Sequence, residues 1–370
     1  MRNLDRFWAV MEYGDFDHPP FFEEPVWRET LERWQGEGLA ENTRWEEQLD
    51  VHPLRMSGHG FNSMVWPPFE RQDLGADDQY VYYNDNYGRK VRDFKNATGM
   101  PEWLEFPLKD RESFESLIDR FEGHFDERVP EDWDERVRKW NAPDFDRLLL
   151  PPVGNYFFTL RGMAGVETVS YLFFDAPDLI HRMFDAICGH CCRFLEKILA
   201  EVHNIRAVGT GEDMAYKNGP FFSPAMFDEF FAPRYRRVME IARRNGANLC
   251  FVDTDGDFRP LLKPMLECGL NLFCPMEVAA GADPVSVRET FGREVRMVGG
   301  VDKRIVAAGK EEIRAELERL YPLMCEGGFI PKIDHSVSSD ISWDNFRYYI
   351  DTLRELHRRC AVSGAGVAGA

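Results

Sequence analysis

No stretch of this sequence approaches the roughly 20 consecutive apolar residues that a helix needs to cross a bilayer, so no helical membrane span is expected. A secretory start is missing too. The opening MRNLDRFWAVMEYGDFD puts charges where a signal peptide carries its apolar run, and a cytoplasmic protein is expected. Positive charge is in short supply, with 45 Lys and Arg against 64 Asp and Glu, a net charge of −19. That balance disfavours nucleic acid and anionic membranes as partners, because both select a cationic surface. A dinucleotide fingerprint is absent as well, since Gly209-Thr210-Gly211 ends a strand-like run without the third glycine. There is no low-complexity linker and no short repeat. Only the small-residue tail, 361–370, reads as flexible.

The eight cysteines form no metal-binding or disulfide pattern. Cys188-Gly-His-Cys191 matches C-x-x-C, but it lies inside LIHRMFDAICGHCCRFLEKILAEV, a continuous helical pattern. A redox pair needs its first thiol at a helix N-terminus, where the dipole lowers the pKa. These two, and the remaining cysteines, read as small core hydrophobes.

Three textures follow one another. Residues 1–75 are rich in Trp, Pro and Phe, and PVWRETLERWQGEGL reads as a helix closed by Gly38. Residues 79–110 hold two β-rich runs around Asn84-Asp85-Asn86, which predicts a hairpin. Residues 111–141 are charged and helical. Together 1–110 reads as an extension packed on a main domain spanning 111–360. Its aromatic residues suit either a lid over a binding site or a homodimer contact.

From about residue 145, short apolar runs alternate with amphipathic helices, which is the signature of βαβ units. The runs are 147–154, 205–213, 248–256, 271–278, 295–303 and 328–335; the helix at 223–246 has a Ser cap, a Pro at its first turn and a closing Gly. After the first run, each strand ends in ionisable residues: Glu212 and Asp213, Asp253 and Asp255, Glu277, Asp302 and Lys303, Asp334 and His335. Apolar strands that finish in charge fit a (β/α)8 barrel with its site at the C-terminal face. Along a strand, i and i+2 share a face, so Asp253 and Asp255 can point to one centre.

Four passages, 219–240, 245–284, 295–304 and 327–346, resemble in order and spacing the uroporphyrinogen decarboxylase superfamily, which also holds corrinoid-linked zinc methyltransferases. The resemblance implies a TIM barrel. It departs from both branches. The tetrapyrrole decarboxylases open with an arginine-rich segment, whereas this chain has Arg28 and Arg33 amid Glu23, Glu24, Glu29, Glu32 and Glu37. A polyanionic porphyrinogen would meet repulsion there. In the methyltransferase branch zinc sits on a His-x-Cys-Gly strand end and a later Cys before an Asn. The matching positions here are Asp253-Thr254-Asp255-Gly256 and His335, ten residues ahead of Asn345. The resemblance therefore implies a divalent metal on Asp253, Asp255 and His335. Zinc is the first expectation, and the loss of thiolates opens the choice to manganese, iron or magnesium.

The leading expectation is a methyltransferase or O-demethylase that exchanges a methyl group, such as that of an aromatic methyl ether, with a separate corrinoid protein. Glu277, Asp302, Glu212 and Asp213 are the candidate catalytic residues. Plainer roles stand beside these. Asp253, Asp255 or Asp257 could cap the helix near Arg259; Asp302, Lys303 and Arg304 could form a buried ion network; Glu212 and Asp213 could orient His335. His52, His59, His181, His190 and His203 read as surface or core residues. The alternatives are a metal-free decarboxylase of a tetrapyrrole or other aromatic acid, using carboxylates with split pKa values, and a non-catalytic barrel that binds a corrinoid or tetrapyrrole.

Overall fold

The computed structural model describes residues 1–367 except 63–64 and 96–99, with side chains described up to residue 360. Five of the expected runs form one parallel sheet, in the spatial order Phe329–Ile333, Arg296–Val301, Leu272–Cys274, Leu249–Asp253, Ala207–Gly211. The sixth, Arg147–Leu149, pairs in parallel with Arg55–Ser57. Three single parallel bridges join these pieces into a ring. Pro152 meets Gly209, Phe22 meets Leu54, and Val26 meets Val337. The amide–carbonyl bonds Val337 N–Pro25 O (2.8 Å) and Leu54 N–Phe21 O (2.7 Å) fasten the last two joints. Eight parallel staves thus close on themselves, as a (β/α)8 barrel requires.

The boundary at residue 110 needs correction, because segments 22–26 and 54–57 supply two of the eight staves. Both are too short to read as strands, and 22–26 also carries two Glu and a Pro; tertiary pairing overrides that weak local signal. The barrel interior confirms the arrangement. Phe22, Leu54, Leu148, Leu150, Ala207, Leu249, Phe251, Leu272, Cys274, Val298 and Ile330 form one buried cluster to which every stave contributes, and helix Asn3–Met11 plugs it with Phe7, Trp8, Val10 and Met11. The helices pack outside in a second, larger cluster that takes up Trp34, Trp45, Trp133, Trp140 and Trp343. Most of the N-terminal tryptophans are therefore core residues.

The helix at Arg28–Glu37 ends at Gly38, whose φ of 119° is the left-handed conformation a helix C-cap uses. The expected hairpin is present and grows into a four-stranded antiparallel sheet, Gln72–Ala76, Tyr80–Asn84, Lys90–Phe94 and Glu102–Glu105. The charged helical stretch breaks into Arg111–Glu122 and Trp133–Trp140, with Gly123 and Pro130 between them. Helix Trp343–Val367 runs into the tail expected to be flexible, whose last residues, 368–370, lie outside the described residues.

Cys188, Cys191, Cys192, Cys250, Cys268 and Cys274 are free and buried. Cys325 and Cys360 are not merely core hydrophobes; they form a disulfide across 35 residues that ties helix Lys310–Glu326 to the final helix. Nothing in the spacing signalled it. Closing a loop of that length restricts the unfolded chain by about 3–4 kcal/mol. The Cys325→Ser variant is expected to unfold at lower denaturant, and reductant should shift the wild type but not the variant.

Candidate active site

Because side chains alternate along a strand, the interior residues fix what lies one layer higher. Glu24 follows Phe22, Met56 follows Leu54, Asp253 follows Phe251, Cys274 follows Leu272 and Lys332 follows Ile330. All five line a cavity of about 790 Å³, with Phe22 and Phe251 among the apolar residues beside them. The cavity also takes in Asp255 and His335 from the mouth. It then runs outward past Leu31, Gln35, Leu39 and residues 42–46 of the N-terminal segment. That segment is a cavity wall, in agreement with the lid account of its role. The volume is that of a small-molecule site.

His335 leads the polar groups. Its Nε2 lies 3.7 Å from Asp255 Oδ1, while Nδ1 is buried without a partner. The contact with Asp255 raises the imidazole above its ordinary range. Enclosure by protein pushes Asp255 up, but His335 more than offsets this and leaves its carboxyl low. Asp253 is open to the cavity yet surrounded by protein. Desolvation, with repulsion from Asp255 and Asp213, pushes its carboxyl up to about 6. Two aspartates two residues apart thus hold opposite protonation tendencies beside a histidine that Asp255 biases toward its charged form.

The other expected residues have fixed structural partners. Glu212 is fully buried and accepts from the amides of Tyr156 (2.8 Å), Phe157 (2.8 Å) and Phe158 (3.4 Å) and from the Tyr235 hydroxyl. It therefore caps the helix Tyr156–Asp175 rather than orienting His335. Asp213 pairs with Arg161 and is pushed up by burial and by Asp255. Asp302 accepts from the Arg304 amide and guanidinium, but that guanidinium is 61% exposed and Lys303 takes no part in the pair, so this is a local ion pair in place of the buried three-residue network expected there. Glu277 accepts from the Gly256 amide at 2.9 Å and so braces the turn after Asp255. Near Arg259 it is Asp257 that accepts from the Arg259 amide (3.3 Å) and guanidinium, and the helix there has no side-chain cap from its N-cap residue Phe258, so Asp253 and Asp255 are left to the cavity.

Reasoning from sequence missed three groups. Asp334 accepts from the amides of Val278 and Lys303, and burial raises it to about 6. Lys332 and Glu24 are almost wholly buried with Nζ and Oε2 3.9 Å apart, and Glu24 Oε1 is held by the Ile333 amide and the Tyr349 hydroxyl. Lys332 could have been flagged as a charge inside an apolar strand; Glu24 gave no signal, because its partner lies 308 positions away.

Asp253, Asp255 and His335 share one cavity, but they do not fit a metal as placed. Among the described residues, no group of three or more His, Cys, Asp and Glu is arranged to hold an ion. Their charges are also already answered: Lys332 and His335 act on Asp253, and His335, Arg161 and Lys303 act on Asp255. A dication there would have to displace or repel these cations.

A profile of the family described as Uroporphyrinogen decarboxylase (URO-D) matches residues 156–356, more than half of the chain. The chain belongs to the uroporphyrinogen decarboxylase family. A curated relative, uroporphyrinogen decarboxylase of Gloeobacter violaceus, is 20% identical over 188 residues, and the match spans about half the length of each protein, 51% of this chain and 52% of the relative. Among solved structures, a methyltransferase from Methanosarcina mazei superposes with a TM-score of 0.58 at 12% identity, covering 96% of this chain and 99% of the other. That likeness extends the shared barrel fold over nearly the whole length. Also, among the described residues, no helix is long and apolar enough to cross a membrane.

Proposed function

We propose that this uroporphyrinogen decarboxylase-family enzyme works by proton transfer, without a metal, and removes the carboxylate of a compact aromatic or heteroaromatic acid. The observation that carries the reading is the His335–Asp255 contact beside Asp253 at the inner end of the cavity. In the reaction the bond between ring carbon and carboxylate breaks, carbon dioxide leaves, and the electron pair stays on the ring carbon and takes up a proton. His335 delivers that proton from Nε2, with Asp255 keeping the ring cationic until it is needed. A proton from solvent, passed on by Asp253, then restores the proton on His335 for the next turnover. Paired groups with separated proton affinities are the usual basis of such chemistry. A porphyrinogen with many carboxylates suits the cavity poorly, because Glu23, Glu24, Glu46, Asp253 and Asp255 face it.

The test is carbon dioxide release from a panel of aryl and pyrrole carboxylic acids, with and without prior chelation. Release that survives chelation is expected. Release that needs an added divalent metal, or none from any acid, would overturn the reading.

The contact with Asp255 also sets a pH dependence. The raised imidazole stays cationic above its free value of about 6.5, so activity persists there and falls as pH rises past the raised value. The stability gained from the pair has the same sign, full below the free value and lost on the alkaline side. Asp255→Asn is expected to move the alkaline limb of kcat/KM to lower pH. An unmoved limb would assign it to another group.

A second reading is methyl transfer to or from a corrinoid protein. It is favoured by the convergence of Asp253, Asp255 and His335 on one cavity, the positions at which the methyltransferase branch is expected to hold its metal. It requires the three side chains to close from their present placement.

A further inference from the structure

On the floor of the cavity a lysine and a glutamate approach each other without meeting. Glu24 belongs to the stave 22–26 and Lys332 to the strand Phe329–Ile333, each one layer above the interior residues Phe22 and Ile330. Both line the cavity, yet their side chains are only 4% and 7% exposed. Charge inside an apolar strand is costly unless its hydrogen bonds are made. Here they are made in part. Glu24 Oε1 accepts from the Ile333 amide at 2.9 Å and the Tyr349 hydroxyl at 3.0 Å, which secures the joint between the two staves. Glu24 Oε2 is buried with no hydrogen-bond partner. Lys332 Nζ donates to the Ile333 carbonyl at 3.2 Å, and Oε2 lies beyond hydrogen-bond reach at 3.9 Å. Closure of the barrel thus accounts for Oε1. It leaves Oε2, and two of the three ammonium donors, unanswered among the described residues. One oxygen about 2.7–2.9 Å from both atoms would bridge the gap. That oxygen must accept from Lys332 and donate to Glu24, which a hydroxyl does through a single atom. A carboxylate would be repelled by Glu24, an ammonium by Lys332, and a pyrrole N–H would leave the lysine without an acceptor. Phe22, Met56, Phe251 and Pro275 give the same cavity its apolar surface.

We propose that Lys332 and Glu24 form a subsite for a hydroxyl group on the substrate ring. The hydroxyl then points to the cavity floor, and the leaving carboxylate is presented to His335 at the mouth. The substrate class is a hydroxylated aromatic acid. This rests on the carboxy-lyase reading above and adds the pair of residues that selects among such acids. A site whose buried polar groups are completed by a substrate hydroxyl discriminates strongly against analogues that lack it.

Titration calorimetry on the full-length protein tests it without any turnover. The probes are 2-, 3- and 4-hydroxybenzoate, each beside the fluorobenzoate substituted at the same position, where fluorine fills much of the hydroxyl's space but cannot donate. At one ring position or more, the hydroxyl compound is expected to bind at least about tenfold more tightly than its fluoro counterpart. Lys332→Met should erase that margin, and Glu24→Gln, which keeps an acceptor for the Ile333 amide and the Tyr349 hydroxyl, should shrink it. A merely structural role for the pair would weaken both probes alike and leave their ratio unmoved. Equal binding of hydroxyl and fluoro probes at all three positions of the wild-type protein would overturn the proposal even if a variant failed to fold. So would a margin that survives in a folded Lys332→Met. Because no chemistry is needed, a hydroxyl margin with no carbon dioxide release from any acid would sink the carboxy-lyase reading alone. Release without the margin would sink the hydroxyl subsite alone.

Discussion

His335→Ala is expected to lower kcat on the acid substrate by about 10²–10⁴-fold, the usual worth of a positioned proton donor. The folded protein should be little disturbed. The ring is 27% exposed, its Nε2 faces Asp255 across 3.7 Å, and Nδ1 holds no neighbour in place. Removing it leaves Asp255 unpaired in an open cavity, where water can solvate the carboxylate. The loss therefore belongs to the transition state, and KM is expected to change far less than kcat. Steady-state kinetics beside a thermal melt checks this. A kcat within a few-fold of wild type, with the melt unchanged, would remove His335 from the chemistry.

Glu212→Ala is expected to act in the opposite way, on stability. Glu212 sits at the end of the barrel strand Ala207–Gly211, yet its carboxylate reaches the first turn of helix Tyr156–Asp175. The first amides of a helix lack partners within it, and Glu212 supplies acceptors to three of them and to the Tyr235 hydroxyl. Burial pushes its carboxyl up to about 7, against four donors that favour the charged form. Alanine would leave those donors buried and unpaired, at a cost of roughly 3–5 kcal/mol in total. Glu212→Gln, which keeps one good acceptor, should lose less. Denaturant unfolding of the two variants measures the difference, and a loss below about 1 kcal/mol for alanine would mean that water replaces the carboxylate.

The contrast between these residues shows what could be read from the chain. The six apolar runs after residue 145 were legible because parallel strands buried on both faces read as continuous apolar segments. Their charged ends marked the mouth of the barrel. The positions of Asp253, Asp255 and His335 on one cavity followed from strand periodicity and the family resemblance. What strand-end position could not supply was the direction of each side chain. Glu212 turns outward to a helix terminus, Asp302 to Arg304, and Glu277 to the turn at Gly256. The staves at 22–26 and 54–57 were invisible for another reason. Their pairing partners, Val337 and Arg147–Leu149, lie far along the chain, and segments so short carry no period of their own. Lys332 and Glu24 were lost with them, because only closure of the ring brings the two together.

The central claim is that His335 serves Asp255 and the substrate rather than a metal. Crystals grown with and without excess zinc decide it through anomalous scattering at the zinc edge. The account predicts no peak among Asp253, Asp255 and His335, with the imidazole still against Asp255. A fully occupied zinc bonded to all three at about 2.0–2.2 Å would contradict it and restore the metal-dependent reading.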